Sequence, residues 1–599
     1  MQATFQDFPI ELIIEVFANL DHTHILRCAA VCKSFNAVVR DSHKLRYTIE
    51  LAFDGLVNLP QSEPTPVYEK LQRLLSCRNA WRTLAWKHNF HVPMSGSCRA
   101  YELVSGTFAK SIGTHVGHGS RHFIMSTLPS RKRPDPRFII TEDVGVPSKD
   151  FVIDPTQDLI GYVSESVPFV LGNQIQINIM TISSHRPHPE AANPVISHTC
   201  GLPFVMTNSF VAIAEDVLAI FFWIENPGLI IWNWRSGKLL VYVNDYGGLP
   251  PGIWDFSFIS NRAFILTSRE LSGSIEIYVF QDPPTNPELT RVASLRLPAL
   301  QPTITPALFS THSGPFTADD SPSANYTALK EKPFTISKHS RIHAMCIQYL
   351  SAGGHLDRRF RFFFFVKNDF FLKLVNEHRA GETRGVNSQR TLIWEEWGVE
   401  NTRFLAYGMQ PRWLRYVHGL RVVCPPYPSD EGSLGCVLEV FDFNVHPKRL
   451  PGSENLTRNV NATRASEAAA DKGAEGDMNE GRAGNSSPSL SSSSSSSSPS
   501  TRPSSPASSS SITREVSYTV NIEPSTISAS AVFVDDVISK LPYIKTVRKD
   551  LSLVYSGFMI DDERIVGIKA GIAFFAWRGV RGLNVRYFCR LRRTVRWGT

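Results

Sequence analysis

The spacing of apolar residues changes once along this chain, and that change limits what it can fold into. Residues 9–44 place apolar side chains three and four apart, as on one face of a helix, whereas from about residue 100 onward they come in short β-branched and aromatic runs cut by Gly, Pro, Asn and Asp. A helical head and a strand-rich body are expected. At 599 residues the chain also exceeds the roughly 250–300 residues at which a single hydrophobic core stops growing, so the two parts have separate cores.

Between head and body, EKLQRLLSCRNAWRTLAW at 69–86 repeats Leu71, Leu74, Leu75, Trp81, Leu84 and Ala85 at near-helical intervals and predicts an amphipathic linker helix. Before it, YTIELAFDG at 47–55 alternates like a strand. Residues 452–513 contain a serine run from Ser491 to Ser498 followed by TRPSSPASSSS. They lack the apolar surface to offset their ordering entropy and read as a disordered insert, since strand-like sequence resumes at VSYTVNI. The expected layout is a helical unit at 1–46, a linker strand and helix at 47–98, a strand-rich domain at 99–451, the insert at 452–513, and the final strands with a basic end at 514–599.

Within the body, DVLAIFFWIENPGLIIWNWRSGKLLVYV at 216–243 reads as three strands of a meander, turning at Asn226, Pro227 and Gly228 and again at Ser236 and Gly237. Strands of the LIIWNW kind recur as QINIMTIS at 176–183, SIEIYVF at 274–280, VLEVFDF at 437–443 and GIAFFAW at 571–577, the first two intervals being roughly fifty residues. Radial repetition of four-stranded sheets at ~40–50 residues per unit marks a β-propeller. LIIWNWRSG resembles the place where WD-repeat blades carry Trp-Asp, with Asn233 in place of the aspartate.

Composition excludes little. The N-terminus meets Asp7, Glu11 and Glu15 before any apolar stretch long enough for a signal segment. The longest apolar runs, at 217–224 and 360–366, fall short of the ~18–20 residues that cross a bilayer. Nine cysteines stand singly and without a CxxC pair, which fits reduced thiols in the cytoplasm or nucleus. The N-x-Ser/Thr matches at Asn325, Asn455 and Asn461 would then go unused. Net charge is +7, and the excess sits near the C-terminus on Arg578, Arg581, Arg586, Arg590, Arg592, Arg593 and Arg596.

The head carries the most specific pattern. In FPIELIIEVFANLDHTHILRCAAVCKSFNAVV, Pro9 suits the first turn of a helix, Glu11 opposes its dipole, and Leu12, Ile13, Val16, Phe17 and Leu20 form an apolar stripe. Asp21 is placed to cap a second helix running to about Val31, and a third carries Phe35, Val38 and Val39. Three helices this short cannot bury all of that surface themselves, and a surplus apolar face wants a partner.

These residues resemble the F-box family: Phe8-Pro9 stands where the family has Leu-Pro, Glu11 matches its acidic position, and Val16-Phe17 matches its Ile-hydrophobic pair. Leu20, Asp21, Ile25, Val31, Cys32 and Phe35 continue the match, while His24 replaces a common acidic residue. With YTIELAFDG and a helix ending in AWRTLAW behind it, the head is similar to the large set of F-box proteins of mushroom-forming fungi. The resemblance implies a Skp-family adaptor as partner, with a cullin beyond it. Pro9, Leu12, Ile13, Val16, Phe17, Leu20, Val31 and Phe35 would divide between internal core and adaptor interface. The body would hold a target protein, giving a ligase adaptor that is not itself an enzyme. A scaffold outside any ligase, and an enzyme using the propeller's central pocket, stay open.

No P-loop, G-x-G-x-x-G, H-E-x-x-H or G-x-S-x-G sits at a strand-to-helix turn, so no cofactor, metal or catalytic residue is expected. His115, His118 and His122 in THVGHGSRH read as a polar loop, and Cys28 and Cys32 as core. At the basic end, alternating strands place arginines on a solvated face. Arg586, Arg590, Arg592 and Arg593 could alternatively hold an acidic or phosphorylated partner, and nucleic acid is the least favoured reading. RKRP at 131–134 is a short basic cluster, and Ser487, Ser498 and Ser505 precede prolines in the insert, where phosphorylation would threaten no fold.

Overall fold

A computed structural model of the chain describes residues 8–446 and 516–587, apart from 60–64, 87, 114–118, 131–133, 166–171, 205, 207, 224–225, 245–247, 282–288, 317–331, 352–357, 384–388, 407–413, 426, 429–435, 530, 552–554 and 571–579. The serine-rich segment, its three Ser-Pro steps, GIAFFAW, His115, His118, the three N-x-Ser/Thr asparagines and Arg578, Arg590, Arg592, Arg593 and Arg596 lie outside the described residues.

The head is helical, as its spacing predicts. Helix α1 (Ile10–Ala18) starts after Pro9, whose carbonyl accepts from Leu12 N at 3.0 Å, and Glu11 lies in its first turn. Helix α2 (His22–Ala29) is capped by the Asp21 side chain, which accepts from Thr23 N and His24 N. The His24 ring meets the same carboxyl at 2.5 Å, so the departure at His24 leaves the cap intact. Helix α3 (Lys33–Asp41) completes the trio.

The strand expected at 47–55 is instead helix α4 (His43–Phe53). Its alternation arises because the helix serves two cores. Leu45 and Ile49, four apart, pack with Ile13, Phe17, Ile25, Phe35 and Val38 of the head. Tyr47 and Leu51, also four apart, pack with Leu71 and Leu74 of the linker helix α5 (Val67–Thr83). Two i, i+4 stripes offset by two residues imitate the period of a strand.

Among the described residues, seven sheets hold four or more strands, all antiparallel except for one parallel strand, Arg390–Leu392, added to the fourth. Named by the residues they span, they are blade 1 (101–141), blade 2 (148–204), blade 3 (208–244), blade 4 (253–296), blade 5 (304–406), blade 6 (417–551) and blade 7 (557–587). The first six each take four radial strands from their own stretch of chain. Blade 7 is closed by His88–Pro93, which pairs antiparallel with Val580–Tyr587, so part of the expected 47–98 linker belongs to the propeller. That closure joins the two ends of the ring.

Apolar clusters fill every gap between neighbouring blades: 1 with 2, 2 with 3, 3 with 4, 4 with 5, 5 with 6, 6 with 7, and 7 with 1. The recurring strands at 172–181, 227–233, 274–280 and 436–442 all occupy the third radial position of their blades. Asn233, at the degenerate Trp-Asp site, caps the next turn by accepting from Arg235 N and Ser236 N and donates to Asp216 Oδ2 at 2.8 Å. Asp216 in turn receives two bonds from Arg262 of blade 4, at 2.9 and 2.6 Å. Both flanks of the serine-rich segment lie in blade 6, where Val516–Asn521 pairs outside Tyr543–Leu551.

Candidate functional site

The helical head divides its apolar residues between two opposite stripes. Ile13 and Phe17 point inward at 3% and 2% exposure, with Phe35 buried beside them, and the Phe17 and Phe35 rings meet edge-on at 5.3 Å. Leu20 is half-buried against the same core. Phe8, Leu12 and Val16, each four residues from the next, remain exposed together with Ile10, Leu26 and Val31, the last at 70%. Pro9 is exposed at the head of this stripe.

Of the eight residues expected to share core and interface, then, Ile13, Phe17 and Phe35 are core, Leu20 borders it, and Pro9, Leu12, Val16 and Val31 are available to a partner. Phe8, Ile10 and Leu26 join them. For Phe8 the signal that could have added it is the second i, i+4 register, 8–12–16, running beside the inward register 13–17.

The linker helix fixes this head to the propeller. Arg78 of α5 binds Asp54 through Nε at 2.9 and 3.0 Å and Glu50 through Nη1 at 2.7 Å. Its C-terminal end contributes Ala80, Trp81 and Leu84 to the core between blades 6 and 7. Arg421 stacks on Trp81 at 4.9 Å, and Arg548 stacks on Trp86 at 3.5 Å while donating to the Leu84 carbonyl at 2.8 Å. Arg73 donates to Glu563 at 2.9 Å. Gly55 packs tightly on the propeller: its φ is +64°, and a Cβ there would meet Ser340 Oγ at 2.5 Å.

A buried charged group within the propeller lies beside the linker helix. Asp562 accepts from Lys332 at 2.9 Å and His418 at 2.5 Å. Burial alone would raise its carboxyl, but Lys332 and His418 outweigh that and hold it well below the usual carboxylate range. The turns that carry Arg421 and Asp562 join the first and second strands of blades 6 and 7, so the head occupies the face of the ring on which those turns lie.

The opposite ends of the strands form a second surface. Trp223 closes the second strand of blade 3 and Trp254 opens the first strand of blade 4; their rings meet at 5.7 Å, with the Arg269 guanidinium 4.4 Å from the Trp254 centroid. All three are partly exposed. Aromatic and arginine side chains of this kind dominate binding energy at protein interfaces. Sequence reading missed them because Trp223 and Trp254 lie in different blades. The central cavity, lined among others by Ser257, Thr311, Ser313 and Arg415, encloses about 50 Å³, room for a water or two.

Arg581 and Arg586 lie on the Val580–Tyr587 strand, Arg586 opposite Asn89 and Ile565. His122 opens a strand of blade 1 opposite Ile112. Among the described residues no group of three or more His, Cys, Asp or Glu is placed to hold a metal, and no helix is long and apolar enough to cross a membrane. Cys28, Cys98, Cys200 and Cys346 are free thiols.

The F-box domain family matches residues 5–47. No curated protein matches the chain. Among solved structures, the WD40 domain of SCAP from fission yeast is similar at 11% identity over 90% of this chain and 99% of that one, with a TM-score of 0.30. Sqt1 from Chaetomium thermophilum is similar at 11% identity over 58% of this chain and 69% of its own, with a TM-score of 0.26. The propeller rests on its own strand order and its ring of inter-blade cores rather than on these likenesses. The chain therefore carries an F-box followed by a β-propeller.

Proposed function

We propose that this protein is a substrate-recognition adaptor of a Skp-cullin-F-box ubiquitin ligase. The observation that carries the proposal is the outward stripe of Phe8, Leu12, Val16, Leu26 and Val31 on a head matched as an F-box. A Skp-family adaptor covers that stripe and links the chain to a cullin. A target protein binds the propeller face that carries Trp223, Trp254 and Arg269.

Nothing in this role requires the chain to transfer a group. Its mechanism is enforced proximity: holding target and ligase on one body raises the effective concentration of target lysines near the conjugating enzyme. The shared cores of α4 and α5 support this reading, because a tether packed on both sides keeps the distance between its ends constant. The test is capture of a purified Skp-family adaptor by the full chain. Leu12→Asp with Val16→Asp is expected to abolish capture while leaving the melting temperature unchanged. Capture that survives this pair ends the ligase reading; capture of the adaptor without a cullin supports a scaffold outside the ligase.

A further inference from the structure

The outermost strand of blade 1, Arg137–Thr141, is exposed from Arg137 to Ile140, with Thr141 half-buried. It pairs on one side with His122–Thr127 and ends its sheet. Phe138, Ile139 and Ile140 are 41%, 41% and 61% exposed, so apolar side chains stand in solvent on both faces of one strand. The outer strand of blade 3 instead buries Leu240, Val241 and Val243, and blade 4 is covered by the parallel strand Arg390–Leu392, whereas blade 6 ends in a second largely exposed strand, Val516–Asn521, in which Tyr518 is the single exposed apolar side chain, at 58%. Proteins blunt bare edges with charges, prolines or bulges. Here Pro134 and Pro136 precede the strand, and none of these devices interrupts Phe138 to Thr141.

The charges beside the strand indicate what covers it. Arg137 stands at its start and Glu142 just past its end; both are exposed, and neither has a side-chain partner among the described residues. Asp143 follows, bound to Arg121 at 2.8 Å. A second copy laid parallel would set like charges side by side. Laid antiparallel, it sets Arg137 of each strand near Glu142 of the other, while Asp135 falls opposite Asp143, whose carboxylate Arg121 already holds. A two-fold axis through Ile139 places Ile139 opposite itself, Phe138 opposite Ile140, and Arg137 opposite Thr141, one residue from Glu142.

We infer that this edge is a self-association surface, through which two copies of the chain pair antiparallel and join their first blades into one continuous sheet. The arrangement is isologous, the kind of contact that closes at a dimer. A short ladder with three apolar residues a side makes a small interface, so the dimer dissociates on dilution. It presents two F-boxes and two target faces on one particle, and it does not depend on the ligase reading.

Sedimentation velocity of the full chain across the micromolar range tests it. The expected result is a monomer that shifts toward dimer as concentration rises, and an Ile139→Lys variant that stays monomeric with an unchanged melting temperature. Should the lysine variant fail to fold, Ile139→Cys keeps the idea exposed: under mild oxidation it crosslinks to itself, whereas Arg137→Cys, displaced from the axis, does not. A chain that stays monomeric throughout, a dimer indifferent to Ile139→Lys, or equal crosslinking at 137 and 139 would overturn the inference.

Discussion

Arg78 on the linker helix grips Asp54, just past the end of α4, with its Nε 2.9 Å from Oδ1 and 3.0 Å from Oδ2. The same guanidinium reaches Glu50, and Asn444 of blade 6 donates to Asp54 at 3.1 Å. One carboxylate therefore ties together the F-box end, the linker and the propeller. Removing the cation leaves two carboxylates in a mostly buried site. Arg78→Ala is expected to destabilise the chain by about 3 kcal/mol and to make the segment between α4 and α5 the first site of proteolytic cutting, read by denaturant unfolding and limited proteolysis.

The inward and outward stripes of α1 separate folding from binding. Phe17→Ala opens a cavity in the head and should cost about 3–5 kcal/mol, so loss of adaptor capture in that variant would report misfolding as much as contact. Val31→Asp alters a side chain that is 70% exposed and should weaken capture with thermal stability kept. Comparing the two by melting temperature and by adaptor pull-down distinguishes the roles. Equal melting-temperature losses would contradict the assignment of stripes.

Acid stability should depend on His343. The ring is fully buried, meets Asn368 Oδ1 at 3.0 Å, and is pushed down to about 3 by burial, with a smaller contribution from Arg341 and an opposing one from the Asn368 bond. A base held neutral in the folded chain but free to protonate when unfolded favours folding above about pH 6.5 and loses that advantage as pH falls toward the folded value. Between pH 6 and 4 the wild type should therefore lose stability relative to His343→Gln by up to about 1.4 kcal/mol per pH unit. A difference that does not vary with pH would refute the assignment.

Target recognition is expected to rest on the aromatic face. Replacing Trp223 and Trp254 together by Ala should thin the set of proteins marked by proximity labelling while leaving adaptor capture intact. Labelling that is unchanged by this pair, yet altered by changes at Arg586, would move the target site to the basic end.

Much of the head was legible before any coordinates. Pro9, Glu11 and Asp21 sit at the helix ends their chemistry suits, and the strands at 176, 229, 274 and 437 share the third place in their blades. The strand reading of 47–55 failed for a definable reason: a helix clamped between two cores shows two registers at once, and their sum has the period of a strand.

What the sequence determined by itself is local: apolar spacing sets where helices and strands form, and capping and turn residues set where they stop. Tertiary structure decided the rest. Whether Leu12 or Ile13 meets solvent depends on α3 and α4 arriving on one side of α1, and the pairing of Trp223 with Trp254 depends on two blades standing side by side. His88–Pro93 closes blade 7 against strands from the far end of the chain. These contacts join residues far apart in sequence, and spacing along a chain carries no record of which distant surfaces the folded molecule brings together.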